Sequence, residues 1–139
     1  MLIVSSTLAI LHHLFISGFI GTQFGMYVFL KLQKPDSNLN FLRKLNLWTI
    51  GLIASTIVVG IMRVFWAEKV PNYYLNSSIF WVKSASVLSI LAYSIYIHQI
   101  INKPLNSQEF RKIYKAIFIQ MHILPIAIIC AVFLAKGFN

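Results

Sequence analysis

The chain has 139 residues, of which 58% are hydrophobic and 11% carry a charge. A soluble domain has about 25% charged residues, so this composition excludes a globular protein with a water-exposed surface. Twelve Lys and Arg residues against three Asp and Glu residues give a formal charge of +9. The basic residues lie in short clusters between apolar runs, where loops meet phospholipid headgroups, and not along a polar face that binds nucleic acid. We therefore expect the lipid bilayer, and no nucleic acid, as the partner of this chain.

Four apolar stretches follow one another, each near the ~20 residues that cross a bilayer. We predict helices over residues 2–31, 43–67, 77–102 and 108–136 of a single domain covering residues 1–139. The first stretch lacks the basic start and the cleavage site of a secretory signal, so we expect a retained helix. The linkers are short and rich in prolines, and their Asn and Ser residues are suited to cap the following helices. Short linkers favour antiparallel neighbours, which predicts an all-α fold, an integral membrane four-helix up-down bundle.

The basic residues also predict the orientation in the membrane. Four of them lie between positions 31 and 44, and four more between positions 103 and 115. By the positive-inside rule the first and third linkers face the cytoplasm and both termini lie outside. We expect a multi-pass protein of the bacterial inner membrane whose segment 60–83 faces outward.

Two helix faces carry small or polar residues. Close packing between membrane helices favours small residues at every fourth position. In the first helix this spacing predicts a packing face made of His13, Ser17, Gly21 and Gly25. In the second helix a related stripe comprises Thr49, Thr56, Gly60 and Arg63. The second stripe turns Arg63 towards the interior of the bundle.

The outward segment contains two cations that the sequence places inside the spans. Arg63 lies about one turn inside the outer end of the second helix, and Lys83 a similar distance into the third. Charges within a span cost a few kcal/mol each and usually face the bundle interior. The alternative is that both side chains snorkel to the outer headgroups. Together they predict an inward cationic pair that suits an anionic group, either Glu68 or a ligand carboxylate.

The histidines suggest a second chemistry. At about 1.5 Å per residue, His13 and His122 lie within about 5 Å of each other in depth. Two histidines on different helices near mid-membrane are how b-type haem proteins ligate iron, which makes His13 and His122 the candidate axial ligands. His12 is the substitute for His13, from whose face it lies about 100° away. The alternative is that each histidine only hydrogen-bonds a neighbouring helix.

The sequence gives little evidence for other kinds of chemistry. The only acids are Asp36, Glu68 and Glu109, all in linkers, so no carboxylate pair is available for acid–base catalysis or for an ion path through the spans. No phosphate-binding glycine loop, nucleophile elbow or HExxH motif occurs. The single cysteine, Cys130, leaves no partner for an intrachain disulfide. We predict no hydrolase and assign no reaction.

The sequence resembles a family of bacterial membrane proteins known as domain of unknown function 2214. The matching segments are LHHLF at 11–15, GIMRVFWAEK at 60–69, YYLNSSIFWVK at 73–83 and FLAKG at 133–137, together with Ser94. The resemblance covers essentially the whole chain and implies a four-helix membrane fold without an assigned activity. One departure is Val70-Pro71, where the family pattern leads us to expect a glycine.

More distantly, the early histidines and the pair Trp81 and Lys83 resemble haem-binding membrane protoporphyrinogen oxidases and copper-resistance membrane proteins. Two hypotheses therefore stay open. In the first, His13 and His122 ligate a b-type haem or porphyrin for electron transfer or porphyrin redox chemistry, with Arg63 and Lys83 as propionate anchors. Tyr73 and Trp81 belong to the same hypothetical site, and a second copy of the chain, in a homo-oligomer, is an alternative source of one ligand. In the second, segment 60–83 docks a partner or a small anionic ligand, and the histidines are structural.

Overall fold

The computed structural model describes residues 2–32, 39–66, 71–103 and 106–136, with side chains from residue 6 onward. This part of the chain forms α1 (Leu2–Leu32), α2 (Asn40–Trp66), α3 (Pro71–Leu75), α4 (Ser78–Ile101) and α5 (Ser107–Lys136). Four of these helices are long and apolar enough to cross a membrane, which confirms the predicted all-α fold. Which side of the membrane the termini occupy stays a prediction.

The short helix α3 is the one element of the described chain that the sequence does not predict. The sequence places Pro71 in a linker, just past a helix end, whereas in the structure Pro71 is the first residue of α3. Proline is favoured at this position because its fixed backbone angle suits a helix and its missing N–H would have no partner there. Val70, the other residue of the departure from the family pattern, lies outside the described residues, as do Glu68 and Lys69.

The helices pack as two antiparallel pairs. The main contacts join α1 to α2 and α4 to α5, and the pairs meet through α2 against α4 and α1 against α5. The hydroxyl groups of Thr22 and Thr49 lie 2.9 Å apart across the first pair. A Cβ added at Gly18 would lie 3.2 Å from Leu52, so this glycine allows α1 and α2 to approach closely.

The distribution of polarity suits a lipid surround. Large apolar side chains face outward, for example Trp48 with 67% of its surface exposed and Phe24 with 59%. Amides and hydroxyls are buried instead, among them Asn46, Ser94 and Gln120, each 0% exposed. Backbone and side-chain polar groups have no water to bind in hydrocarbon, so they are more stable inside the bundle than on its surface.

The packing face predicted for α1 is largely wrong. His13, Ser17 and Gly21 are exposed, and a Cβ at Gly21 would meet nothing within 4 Å. The buried face of α1 carries larger side chains, namely Leu8, His12, Phe19, Gln23, Met26 and Leu30. These side chains fill the interior between the four helices, which small residues would leave empty. Gly18 and Gly25 lie instead where α1 contacts α2 directly.

Polar caps begin two of the spans, as the sequence predicts. The buried Ser77 is the N-cap of α4, and its hydroxyl accepts a hydrogen bond from the Phe80 N–H at 3.4 Å. Before α5, the Asn106 side chain accepts from the Glu109 N–H at 2.9 Å, while the Asn106 N–H donates to the Glu109 carboxylate at 3.3 Å. This reciprocal pair is a capping box with Asn in the first position.

Candidate functional site

The candidate site is centred on His12, about ten residues from the start of α1, in the half of the helix that is predicted to face outward. His12 is 7% exposed, and its ring carbon Cε1 lies 3.5 Å from the position that a Cβ on Gly60 would occupy. The imidazole therefore packs against α2 at Gly60, where a Cβ would be in ordinary van der Waals contact with the ring. The ring hydrogen-bonds the backbone of Thr56, but its Nδ1 is buried without a hydrogen-bonding partner among the described residues.

Two cations interact with this histidine. Arg63 on α2 and Lys83 on α4 both interact electrostatically with the His12 ring, and both side chains are half-buried. Both cations are thus within electrostatic range of His12, and the cationic pair that the sequence predicts stays a prediction. Each cation also takes part in at least one further interaction. Glu68, the alternative partner that the sequence suggests, lies outside the described residues.

Tyr73 and Trp81 make contacts that connect the short helix α3 to the spans. The Tyr73 hydroxyl donates to the backbone carbonyl of Leu134 at 3.3 Å, which joins α3 to the end of α5. The Trp81 indole donates to the carbonyl of Leu75 at 2.9 Å, and 56% of the Trp81 side chain is exposed. These contacts position the outer linker, and a part for either residue in ligand binding stays a prediction.

The expectation that His13 faces the interior in preference to His12 is wrong. His12 is the buried residue, and His13 is exposed on the outer surface of α1. The difference is the rotation of about 100° between neighbouring helix positions: the interior face of α1 is set by the large side chains and not by the stripe of small ones. His122 is also exposed, on α5, so His13 and His122 do not flank a porphyrin site inside one bundle.

The two exposed histidines share one detail of geometry. The Nδ1 atom of His13 lies 2.7 Å from the carbonyl oxygen of Ala9, and the Nδ1 atom of His122 lies 2.8 Å from that of Phe118. Each ring therefore donates through Nδ1 to its own helix, which leaves Nε2 with a lone pair directed outward. Among the described residues, no group of three or more His, Cys, Asp or Glu side chains lies together as a metal site.

The sequence analysis assigns no role to a second set of buried polar residues, nearer the predicted cytoplasmic side. The side chain of Asn46 donates to the Ser94 carbonyl at 3.1 Å, and Gln120 donates to the Ile90 carbonyl and the Ser94 hydroxyl at 2.8 Å each. Gln23 is only 2% exposed and lies on the buried face of α1. The sequence does contain a signal for these residues: each amide lies inside an apolar span. An amide exposed to lipid there would be unfavourable, which indicates that it faces the interior.

The four apolar spans, the lipid-compatible surface and the polar interior define a multi-pass integral membrane protein. The chain belongs to the family of predicted membrane proteins called domain of unknown function 2214 (DUF2214), whose family model matches residues 4–139. This confirms the resemblance inferred from the outer segment and from the LHHLF motif that contains His12. No curated protein and no solved structure shows a significant match to the chain, and the distant likeness to haem-binding and copper-resistance proteins is not shown.

Proposed function

We propose that the outer end of the bundle binds a small anionic ligand, with a carboxylate or phosphate group, between His12, Arg63 and Lys83. One observation carries the proposal. A buried imidazole with an unpartnered Nδ1 lies within electrostatic range of two cations that come from two other helices. A buried polar atom of this kind is normally hydrogen-bonded, and the two positive charges favour an anion as the ligand that bonds it.

The chemistry of the three groups favours an oxyanion. The planar guanidinium of Arg63 can donate two parallel hydrogen bonds to a carboxylate or phosphate, and Lys83 adds a point charge. Two unit charges 4 Å apart attract by about 1 kcal/mol in water and by about 4 kcal/mol at the effective dielectric constant of a partly buried site. The half-buried position of both cations therefore strengthens their attraction for an anion.

His12 adds selectivity to this site. Because one ring nitrogen bonds the Thr56 backbone, the unpartnered Nδ1 of the neutral ring is an acceptor. The best ligand is consequently an anion that also carries an O–H group, such as monohydrogen phosphate or a hydroxy acid. The oxyanion contacts the cations and the O–H donates to Nδ1.

Ligand-induced stabilisation tests this proposal. A ligand at 100 times its Kd stabilises the folded state by about 2.7 kcal/mol. We expect inorganic phosphate to raise the Tm of the protein in nanodiscs, at constant ionic strength, more than chloride does. The Tm increase should be lost in Arg63→Gln and Lys83→Gln, and it should persist in the matched controls Arg111→Gln and Lys112→Gln at the other end of the bundle. If neither phosphate nor a panel of carboxylates raises the Tm, or if all four variants respond alike, the proposal is wrong.

A second proposal is ligation of b-type haem or a porphyrin by His13 and His122, for electron transfer or porphyrin redox chemistry. The observation that favours it is the hydrogen bond from each Nδ1 to a backbone carbonyl, because haem- and metal-binding histidines are commonly oriented in this way with Nε2 towards the metal. Since both rings are exposed, the ligands would come from two copies of the chain in a homo-oligomer.

The absorption spectrum separates the two proposals. Under the second one, protein expressed with a haem precursor shows a Soret band that His13→Ala or His122→Ala abolishes and His98→Ala preserves. A colourless preparation refutes the haem proposal and does not bear on the proposed anion site.

A further inference from the structure

We propose that the bundle contains a second, internal site that binds ordered water. It is formed by the inner polar layer, which we define as Gln23, Asn46, Ser94 and Gln120. These side chains come from α1, α2, α4 and α5, and none is more than 2% exposed. The proposal does not depend on the anion site, which lies nearer the predicted outer end.

The contacts between α1 and α2 place Gln23 at the level of this layer. The hydroxyls of Thr22 and Thr49 lie 2.9 Å apart, and a Cβ added at Gly25 would lie 3.5 Å from Leu45. Gln23 lies between these two contacts along α1. Because α1 and α2 are antiparallel, it therefore lies opposite the turn of α2 between Leu45 and Thr49. Its position on the buried face of α1 then directs the amide to the interior.

The remaining members are joined by hydrogen bonds at the same level. Asn46 donates to the Ser94 carbonyl at 3.1 Å, and Gln120 donates to the Ser94 hydroxyl at 2.8 Å. Because Asn46 lies within the turn of α2 that faces Gln23, all four helices contribute one polar side chain to one layer. The donated bonds also identify which atom of the Asn46 and Gln120 amides is the oxygen.

Four polar atoms of this layer have no hydrogen-bonding partner among the described residues. They are both side-chain atoms of Gln23, the Oδ1 of Asn46 and the Oε1 of Gln120. A buried polar group without a partner costs about 1–3 kcal/mol in proteins. Three of the four atoms are acceptors and one is an amide nitrogen, so the matching ligand both donates and accepts hydrogen bonds. Water has this property and is the usual partner of buried polar groups.

Apolar clusters on both sides favour a neutral occupant. Towards the outer end, Phe19, Ile53 and Ile90 pack together, and towards the cytoplasmic end lies a larger buried cluster that includes Leu42, Ile101 and Ile113. An ion would have to cross one of these clusters at high cost. The described layer also contains no carboxylate that would stabilise a cation. Water is small and neutral and can enter during ordinary fluctuations of the bundle.

The sign of a stability change tests the proposal. If Gln23 is hydrogen-bonded through water, Gln23→Leu removes those bonds, and we expect the Tm to fall by about 4 °C. If the amide has no partner, the same substitution removes an unfavourable buried polar group and the Tm rises. Gln99→Leu, at an exposed position of α4, is the matched control and should leave the Tm nearly unchanged. A Tm of Gln23→Leu equal to or above that of the unsubstituted protein overturns the proposal.

Hydroxyl-radical footprinting provides a second measurement that needs no variant. Met26 is 0% exposed and lies one turn from Gln23 on the same face of α1. X-ray radiolysis produces radicals from water, so Met26 should be oxidised in the folded protein only if water is bound beside it. Absence of Met26 oxidation, with normal labelling of exposed residues, contradicts the proposal. A Tm that rises when Na⁺ or K⁺ replaces choline also contradicts it, because the occupant would then be a cation.

Discussion

Substitution of Gly60 tests the position of His12, on which the candidate anion site depends. A Cβ at Gly60 would lie 3.5 Å from the His12 Cε1 atom, which is ordinary van der Waals contact. Gly60→Ala therefore fits without movement, and it should stabilise α2 by up to about 1 kcal/mol because Ala is the better helix former.

Gly60→Val should have the opposite effect. Valine adds γ-methyl groups one bond of about 1.5 Å beyond the Cβ, so a methyl that points at the ring would approach it to about 2 Å unless the histidine moves. Valine has one strongly preferred rotamer in a helix and cannot easily turn away. Overpacking of this kind costs about 1–3 kcal/mol, which corresponds to a Tm lower by about 4–12 °C for a chain of this size.

Thermal unfolding in detergent micelles, followed by tryptophan fluorescence, measures both effects. The matched control is Gly51→Val in the same helix, because a Cβ at Gly51 would meet nothing within 4 Å. We expect Gly51→Val to be neutral or slightly stabilising. The reasoning is refuted if Gly60→Val and Gly51→Val change the Tm equally, or if Gly60→Val leaves phosphate binding intact.

Three further substitutions probe the inner polar layer and the helix caps. Gln120→Leu removes two interhelical hydrogen bonds. At about 0.6–1.7 kcal/mol each, their loss should destabilise the protein by about 1–3 kcal/mol in denaturation by sodium dodecyl sulfate. An unchanged denaturation midpoint would contradict this prediction. Ser77→Ala should cost about 0.5–2 kcal/mol and increase amide hydrogen exchange in the first turn of α4, with unaltered exchange as the contrary result. Asn106→Ala should lower the free energy of unfolding by about 1 kcal/mol. Glu109→Gln preserves a capping box and should lower it less. Equal losses of stability would show that the reciprocal pair is unimportant.

The sequence predicts the four spans well because their physical cause is local. Each span needs only enough consecutive apolar residues to cross the hydrocarbon core, and hydropathy along the chain contains that information. The caps of α4 and α5 are also local, since the capping side chain and the amide it bonds lie three residues apart. Pro71 was harder to interpret, because proline is common both just after one helix and in the first turn of the next.

The interior face of α1 could not be predicted from spacing alone. Small residues at every fourth position favour helix packing, but they do not determine which helix they contact, or whether lipid covers them. Gly18 and Gly25 contact α2, whereas Gly21 is exposed. In lipid an exposed glycine costs little, so small residues are not restricted to the interior. The choice between His12 and His13 depended on this face, and only the packing of four helices determines it.

Arg63 and Lys83 were predicted as a pair because both are charges within spans at similar depth. Their association with His12 could not be read from the sequence, since it depends on the register of α1 against α2. In that register the His12 ring packs against Gly60. The amide of Gln23 was missed for a related reason: a single polar residue in a span does not indicate its partners until the levels of the other helices are known.

Nuclear magnetic resonance of the histidine side chains tests the central claim, the anion site at His12, most directly. The chain has four histidines, so the protein labelled with ¹⁵N-histidine in nanodiscs gives few signals, and His12→Gln identifies the one of interest. We predict that inorganic phosphate shifts the His12 ring resonances, leaves those of His98 and His122 unchanged, and has no effect on His12 in Lys83→Gln. A His12 signal that does not respond to phosphate or carboxylates, or one that responds equally in Lys83→Gln, would contradict the account.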